Sequence, residues 1–453
     1  MKPNNIITLI ILTSFIITSC SIPQETHKNN IILSVDSSDS DYEVLKTFSQ
    51  YAHELDDLST LVKAMKLNSH ILLGESTHGT KEFYKIRSDI TKSLIEEGFN
   101  FILLEGDWNT IYQLNKFVKN MDNSPKTAEE AIRKIERWPT WMWRNKEIKN
   151  LIIWLREYND GKENNQKIGI YGMDLYGAEE AINAILRETS NHQINQEFQE
   201  LYICFGSALQ NFEIYAQMVS NGENCQDSAE KALKIASEYK QDPENSEKSR
   251  LIVKQNALIV RNAERFFRKM VHNQNSWNAR AIHFFHTLQE LIDYYGENSK
   301  SISWAHNTHM GDARATEMVE RQQYNLGQIA RENLDNVFIL GFGTKRGNVT
   351  AARQWGAEEQ IMRISNPRGD SFEALFSKIK TDPVLFIFDT KDEKTMTSRP
   401  LDNNIMQEKG HRAIGVVYNP TMDRFHNYVD TILPERYNAF IFIRETSAIS
   451  SIK

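Results

Sequence analysis

Four short apolar runs in this chain each end in an acid or a histidine. Ile71-Leu72-Leu73 runs into Gly74-Glu75-Ser76-Thr77-His78-Gly79, and a second run ends in Glu105-Gly106-Asp107-Trp108. The third ends in Met173-Asp174 and the fourth in His306-Asn307-Thr308-His309. Imidazole takes up and returns protons near neutral pH, and a carboxylate beside it decides which ring nitrogen carries the proton. The stretch with Glu75 and His78 therefore reads as an active-site loop; the plainer reading is a βα turn whose polar groups are solvated. Arg87 follows His78 by about two helical turns. It can fold back to neutralise carboxylates and hold an oxyanion, or remain a solvated helix arginine.

The elements that must position these residues follow from hydrophobic periodicity. Strands are expected at 70–74, 100–104, 167–172, 301–305, 336–341, 384–388, 413–418 and 439–443. A helix is expected at 80–97, closed by Gly98, and further helices at 42–66, 146–158 and 315–320. Strand, helix and strand over 70–104 make a right-handed βαβ unit with parallel strands. From 178 to 298 only helical patterns recur. The expected fold is α/β, three-layer α/β/α, with a mostly parallel sheet and a large helical insertion. The core is assigned to 42–177 and 299–453, and the helical cap to 178–298. In such sheets ligands bind beyond the carboxyl ends of the strands. If the four runs are neighbouring parallel strands, their acids and imidazoles meet at one site.

Length, 453 residues, together with 40% hydrophobic and 25% charged residues, describes a globular chain with room for a large core. A formal net charge of -7 with interspersed signs gives no footprint for nucleic acid. Residues 1–20 carry Lys2, an apolar run too short to span a bilayer, and Ile17-Thr18-Ser19-Cys20. This reads as a lipoprotein signal peptide with Cys20 lipidated, the alternative being a plain secretory signal. The polar stretch 21–41 then serves as a flexible tether, and the location is the bacterial cell envelope, lipid-anchored to a membrane. Cys204 and Cys225 either pair in an oxidising compartment or stay free.

Other residues have competing readings. His283 and His286 lie one turn apart beside Arg280, as pocket groups or as packing. His411 and His426 read as structural or exposed. Trp138, Trp141 and Trp143 form either a core cluster or a ligand shelf. No Gly-x-Ser-x-Gly elbow, Walker A loop, Gly-x-Gly-x-x-Gly after a strand or His-Glu-x-x-His occurs; His53-Glu54 is followed by Asp57, which fails the last pattern.

At these residues the chain resembles the erythromycin esterase family. The resemblance runs from about 71 to 446. It rests on the Glu75 to Arg87 stretch, Leu104-Glu105-Gly106-Asp107-Trp108, Trp143 with Trp154-Leu155-Arg156, Gly172-Met173-Asp174 and Trp304-Ala305-His306-Asn307-Thr308-His309. Gly311-Asp312-Ala313-Arg314, Gly341-Phe342-Gly343-Thr344 and the segment 412–418 extend it. The Arg280 and His283 segment and Gly311-Asp312-Ala313-Arg314 are closer to the less characterised members than to the resistance enzymes. The resemblance implies hydrolysis of a carboxylic ester or macrolide lactone by histidine-activated water, with a role in macrolide resistance. It makes His78 the base and Glu75, Glu105, Arg87, His306 and His309 the other catalytic residues.

Asp174, Trp108, Arg280 and His283 are expected to bind substrate. No cofactor is required on this reading. An alternative places a divalent metal such as zinc or manganese among Glu75, His78, Glu105, His306 and His309. A reading of a different class is a non-catalytic envelope lipoprotein that binds a metal, haem or glycan in the same cleft. The expected partners are a small-molecule ester or lactone and, through the anchor, a membrane.

Overall fold

The computed structural model describes residues 31–190, 193–209, 212–239, 246–388 and 400–453. Cys20 and the signal sequence lie outside the described residues. Among the described residues there are eleven strands: β1 (Ala52–Glu54), β2 (His70–Leu73), β3 (Phe101–Asp107), β4 (Gly169–Asp174), β5 (Ser301–Trp304), β6 (Val337–Ala352), β7 (Glu359–Ile364), β8 (Val384–Ile387), β9 (Glu408–Arg412), β10 (Tyr428–Ile432) and β11 (Ala439–Thr446). Nine form one sheet in the order β1-β8-β11-β6-β2-β5-β3-β4, with β7 paired to β6; β9 and β10 form a separate pair. From β11 through β6, β2, β5 and β3 to β4 the ladders are parallel, while β1, β7 and β8 join antiparallel.

Every residue of β2, β3, β4 and β5 is buried, as expected for strands covered on both faces. Successive side chains feed opposite layers. Leu72, Phe101, Leu103, Tyr171 and Met173 enter one cluster, packed by the helices of 178–295. Ile71, Leu73, Ile102, Leu104 and Ile170 enter the other, packed by Lys81–Glu96, Trp108–Lys119 and Lys146–Asn159. This alternation makes the fold α/β with three layers. Between 178 and 298 the described elements are all helical, and Cys204 and Cys225 are joined by a disulfide there.

Several expectations are corrected. The βαβ pair β2 and β3 is parallel but not adjacent, because β5 pairs with both. The 42–66 helix is two, Tyr42–Phe48 and Ser59–Met65, because the backbone of 52–54 pairs with the sheet edge at β8. The stretch 315–320 forms only short 3-10 turns. The 413–418 strand is extended chain whose hydrogen bonds go to several partners rather than to one ladder. Ile414 N–H donates to Ser76 O at 2.8 Å, and Tyr418 N–H to Ala352 O at 2.9 Å. The described part of the 21–41 tether is docked: Lys378 Nζ lies 2.8 Å from carboxylate oxygens of both Asp39 and Asp41, and Leu33 bridges to Ile379.

Candidate active site

The order β2, β5, β3, β4 brings the four polar strand ends side by side. At the end of β2 the turn into helix Lys81–Glu96 is crowded. A side chain at Gly74 would put Cβ 2.1 Å from Asn307 Oδ1, and one at Gly79 would lie 1.9 Å from Thr350 O. Only glycine permits such close approach. The turn sinks Glu75 to 0% exposure. Its Oε1 accepts a hydrogen bond from His78 Nδ1 at 2.9 Å, and its Oε2 pairs with Arg87 Nη2. Arg87 is itself fully buried, its guanidinium 4.5 Å from the ring centre of Tyr84 and 4.6 Å from that of Trp304. Burying a carboxylate is costly unless it is paired. Arg87 and His78 supply the partners, and two aromatic faces cover the guanidinium.

A second buried system lies across β3 and β4. Arg280, on helix Ser276–Tyr295, donates from Nη2 to Glu105 Oε1 at 2.9 Å and to Asp174 Oδ2 at 2.6 Å. Its Nε donates to Asp174 Oδ1 at 2.9 Å and its Nη1 to His309 Nε2 at 2.9 Å. Burial alone would raise the Glu105 carboxyl; His309 and Arg280 beside it outweigh that and hold it well below the usual carboxylate range. Glu105 Oε2 accepts from the His306 backbone N–H at 2.9 Å, tying β3 to the end of β5.

The partners assign the ring protons. His78 donates its Nδ1–H in a hydrogen bond to Glu75, so in the neutral ring the lone pair is on Nε2. His306 Nδ1 is 2.8 Å from the Thr308 hydroxyl and accepts from the Thr308 N–H at 3.3 Å, an arrangement that puts the proton of the neutral ring on Nε2. That Nε2 is buried without a hydrogen-bond partner among the described residues. Burial, then the neighbouring His78, keeps His306 neutral by pushing its pKa well below the usual value. The two ring centres are 4.8 Å apart. His309 Nε2 lies 2.9 Å from Arg280 Nη1 and 3.3 Å from Glu105 Oε1, and burial is the largest cause of its lowered pKa. Its ring lies flat on Trp277, 4.4 Å away at 9°.

A cleft of about 560 Å³ opens over these groups, lined by His78, Glu105, Asp174, Arg280, His306 and His309 among others. Glu75 and Arg87 stand behind His78 rather than in the cleft, which corrects the expectation that Arg87 meets an oxyanion. Trp108 is 1% exposed and packed on Tyr171, with ring centres 5.2 Å apart, so it belongs to the core and not to the substrate wall. His283 is fully buried, bonded through Nδ1 to Asn262 at 2.8 Å, and pushed by burial down to about 3; it too is absent from the cleft lining. His426 is exposed at the rim.

Among the described residues no three His, Cys, Asp or Glu side chains are arranged to hold a metal. The donors considered for one are committed elsewhere: Glu75 to His78 and Arg87, Glu105 to Arg280 and His306.

Sequence reasoning passed over several groups. Asp107, two residues beyond Glu105, lines the cleft 3.5 Å from Arg137. Burial raises its carboxyl to about 6, against the opposing charge of Arg137. Asn307 lies between two histidines and drew no notice. Its Nδ2 is 3.0 Å from His411 Nε2, and His411 Nδ1 is 2.8 Å from Glu373 Oε1. His411 is thus structural, but it is wired to the site. The carboxylate of Glu373 comes from a segment with no motif around it.

A mostly parallel sheet whose strand ends converge on three imidazoles and two buried arginine–carboxylate systems defines a histidine-centred α/β protein. The chain belongs to the erythromycin esterase family, whose profile, described as erythromycin esterase, matches residues 95–446. It is 29% identical to an erythromycin esterase type II of Escherichia coli over 121 residues, 26% of either chain. The match thus spans about a quarter of that relative's length. Three solved structures are similar. One, described as a succinoglycan biosynthesis protein, has a TM-score of 0.72 at 19% identity, covering 92% of this chain and 100% of the other. One from Bacillus cereus has a TM-score of 0.74 at 18% identity with the same coverages. A mutant erythromycin esterase in its open conformation has a TM-score of 0.60 at 16% identity, covering 86% and 94%. These three bear on the fold alone.

Proposed function

We propose that this chain hydrolyses a carboxylic ester by direct attack of water, with His78 as the base. The observation that carries the reading is the pair of imidazoles side by side in one cleft, ring centres 4.8 Å apart, with Nδ1 of His78 held by Glu75 and Nδ1 of His306 held by Thr308, which leaves Nε2 of each ring for the reaction. In the reaction His78 Nε2 takes a proton from water as the hydroxide oxygen bonds to the acyl carbon. Glu75, itself held by Arg87, keeps the ring oriented and stabilises the imidazolium that forms. His306 Nε2–H donates to the oxygen on which negative charge develops. His78 then returns its proton to the departing alkoxide. Glu105, Asp174 and His309 act through Arg280, which they fix in place; Arg280 lines the cleft and offsets the two carboxylates. A macrolide lactone is one ester of this class, and resistance to macrolides is the role the family name suggests.

The test is incubation of the protein with simple esters and macrolides in ¹⁸O-water, reading product mass with and without chelator. One heavy oxygen should enter the acid, and chelation should leave the rate unchanged. His78→Ala should lower kcat by ~100-fold to ~10,000-fold with the fold retained by circular dichroism, at a lower melting temperature because Glu75 loses one of its two buried partners. A variant retaining near-normal turnover sinks the assignment, and loss of the wild-type rate on chelation would restore the metal version.

We also propose that the chain is a bacterial envelope lipoprotein held at a membrane through Cys20. The sequence 17–20 supports this, and the Cys204–Cys225 pair suits an oxidising compartment. Cells expressing the chain should incorporate labelled palmitate into it, and Cys20→Ala should abolish both the label and its sedimentation with membranes. Unlabelled protein that remains soluble would reject the anchor.

A further inference from the structure

The tryptophans of 138–143 divide in the structure. Trp141 and Trp143 are core, 1% and 4% exposed. Trp138 instead stands half-buried on the cleft wall, its indole fixed by an Nε1–H bond to Ala357 O at 2.8 Å. Packed against it, Trp355 at the turn joining β6 to β7 is 67% exposed, its ring centre 4.6 Å from that of Trp138 and its plane tilted by 58°. Both indoles line the cleft that holds His78 and His306.

Polar groups lie along the same wall. Arg137, next to Trp138 in the chain, lies against Tyr176 with its guanidinium 4.0 Å from the ring centre. Asp107 is an ion-pair partner 3.5 Å away, a loose contact that leaves hydrogen-bonding capacity for a ligand. A purely apolar substrate would cover the indoles but leave the buried Asp107 without a ligand partner, and an unsatisfied buried polar group is costly. A purely ionic one would waste the aromatic faces. A pyranose ring has both surfaces at once: a face of C–H groups that lies on an indole, and a rim of hydroxyls that both donate and accept.

We propose that this lip is a saccharide subsite and that the ester hydrolysed is an acyl group carried on a sugar. The ring stacks on the exposed indole of Trp355, which Trp138 supports, and its hydroxyls bond Asp107 and Arg137. The acyl carbon then faces His78. The catalytic half of this assignment rests on the ester-hydrolase reading above; the binding half does not.

The experiment separates the two. Wild type, Trp355→Ala and Trp355→Phe are given O-acetylated methyl glucoside, galactoside and mannoside, with ethyl acetate as the sugarless ester. Binding of the three unacetylated methyl glycosides is followed in parallel by tryptophan fluorescence. The expected result is a wild-type preference for at least one sugar ester. Trp355→Ala should reduce that preference by about 3-fold to 10-fold through KM, and Trp355→Phe should recover most of it. Glycoside binding that Trp355→Ala weakens, with no ester turned over, keeps the subsite and rejects the hydrolase reading. Turnover without any sugar preference, or glycosides that bind neither chain or both variants alike, overturns the subsite.

Discussion

His78 and His306 carry their protons on opposite ring nitrogens, and nothing in the imidazoles themselves decides this. The choice is made by neighbours: Glu75 three residues before one ring, Thr308 two residues after the other. The first was readable, since a carboxylate and a histidine at that spacing on a tight turn meet. The second needed the helix-capping geometry at 306–308, which a list of residues does not contain. Arg87 was readable as inward-facing, but its role changed once Glu75 was found to stand between it and the cleft. Asp107 went unread because its chemistry comes from burial. Its folded pKa, about 6, is raised above the ordinary 3.8. A raised carboxyl favours folding only while protonated, so its contribution is complete below about pH 4 and is lost as pH rises through 6. Asp107→Asn should therefore be more stable than wild type at pH 8, by up to about 3 kcal/mol, and no more stable at pH 4. Paired thermal melts at the two pH values check this, and a variant that melts with or below wild type at pH 8 rejects it.

At the scale of elements, the site depends on contacts between segments far apart in the chain. Asn307 N–H donates to Glu75 O at 2.8 Å, and Asn307 Nδ2 to Phe342 O at 2.7 Å, so one asparagine joins the ends of β2 and β5 to β6. His411 and Glu373 hold Asn307 from the far side. They act as positioning residues. His411→Leu leaves the Glu373 carboxylate without its imidazole, and breaking such a pair costs about 3–5 kcal/mol. The same variant should lower kcat with KM little changed, because a misplaced base slows chemistry more than binding. Denaturant melts and steady-state kinetics check both, and a variant matching wild type in both removes the role. The strand ends at 74, 105, 174 and 306 were legible because apolar runs stop abruptly at polar residues there. The neighbour order was not, since β5 enters between β2 and β3 from about two hundred residues downstream. The extended character of 413–418 was legible too, but its division between Ser76 and Ala352 depends on tertiary partners.

For the whole molecule, the α/β class followed from continuous apolar runs, which only a sheet covered on both faces explains. The additions at the sheet edge did not follow. The 52–54 strand carries no Gly or Pro to break the helical pattern around it, and β7 was not read because its outer face is exposed, with Ile361 73% accessible. Docking of 31–41 rests on Lys378, far along the chain, pairing with two aspartates. The place of β5 in the sheet also sets a schedule. While the chain emerges from the ribosome, β2 and β3 exist for roughly two hundred residues of synthesis with facing edges that nothing yet fills. The strand that closes the gap is the one that delivers His306 and His309. Filling that gap and bringing His306 and His309 beside His78 and Glu105 are therefore one and the same step of assembly, while β6, β11 and the cleft residues Trp355, Ala413 and Tyr428 come later in the chain.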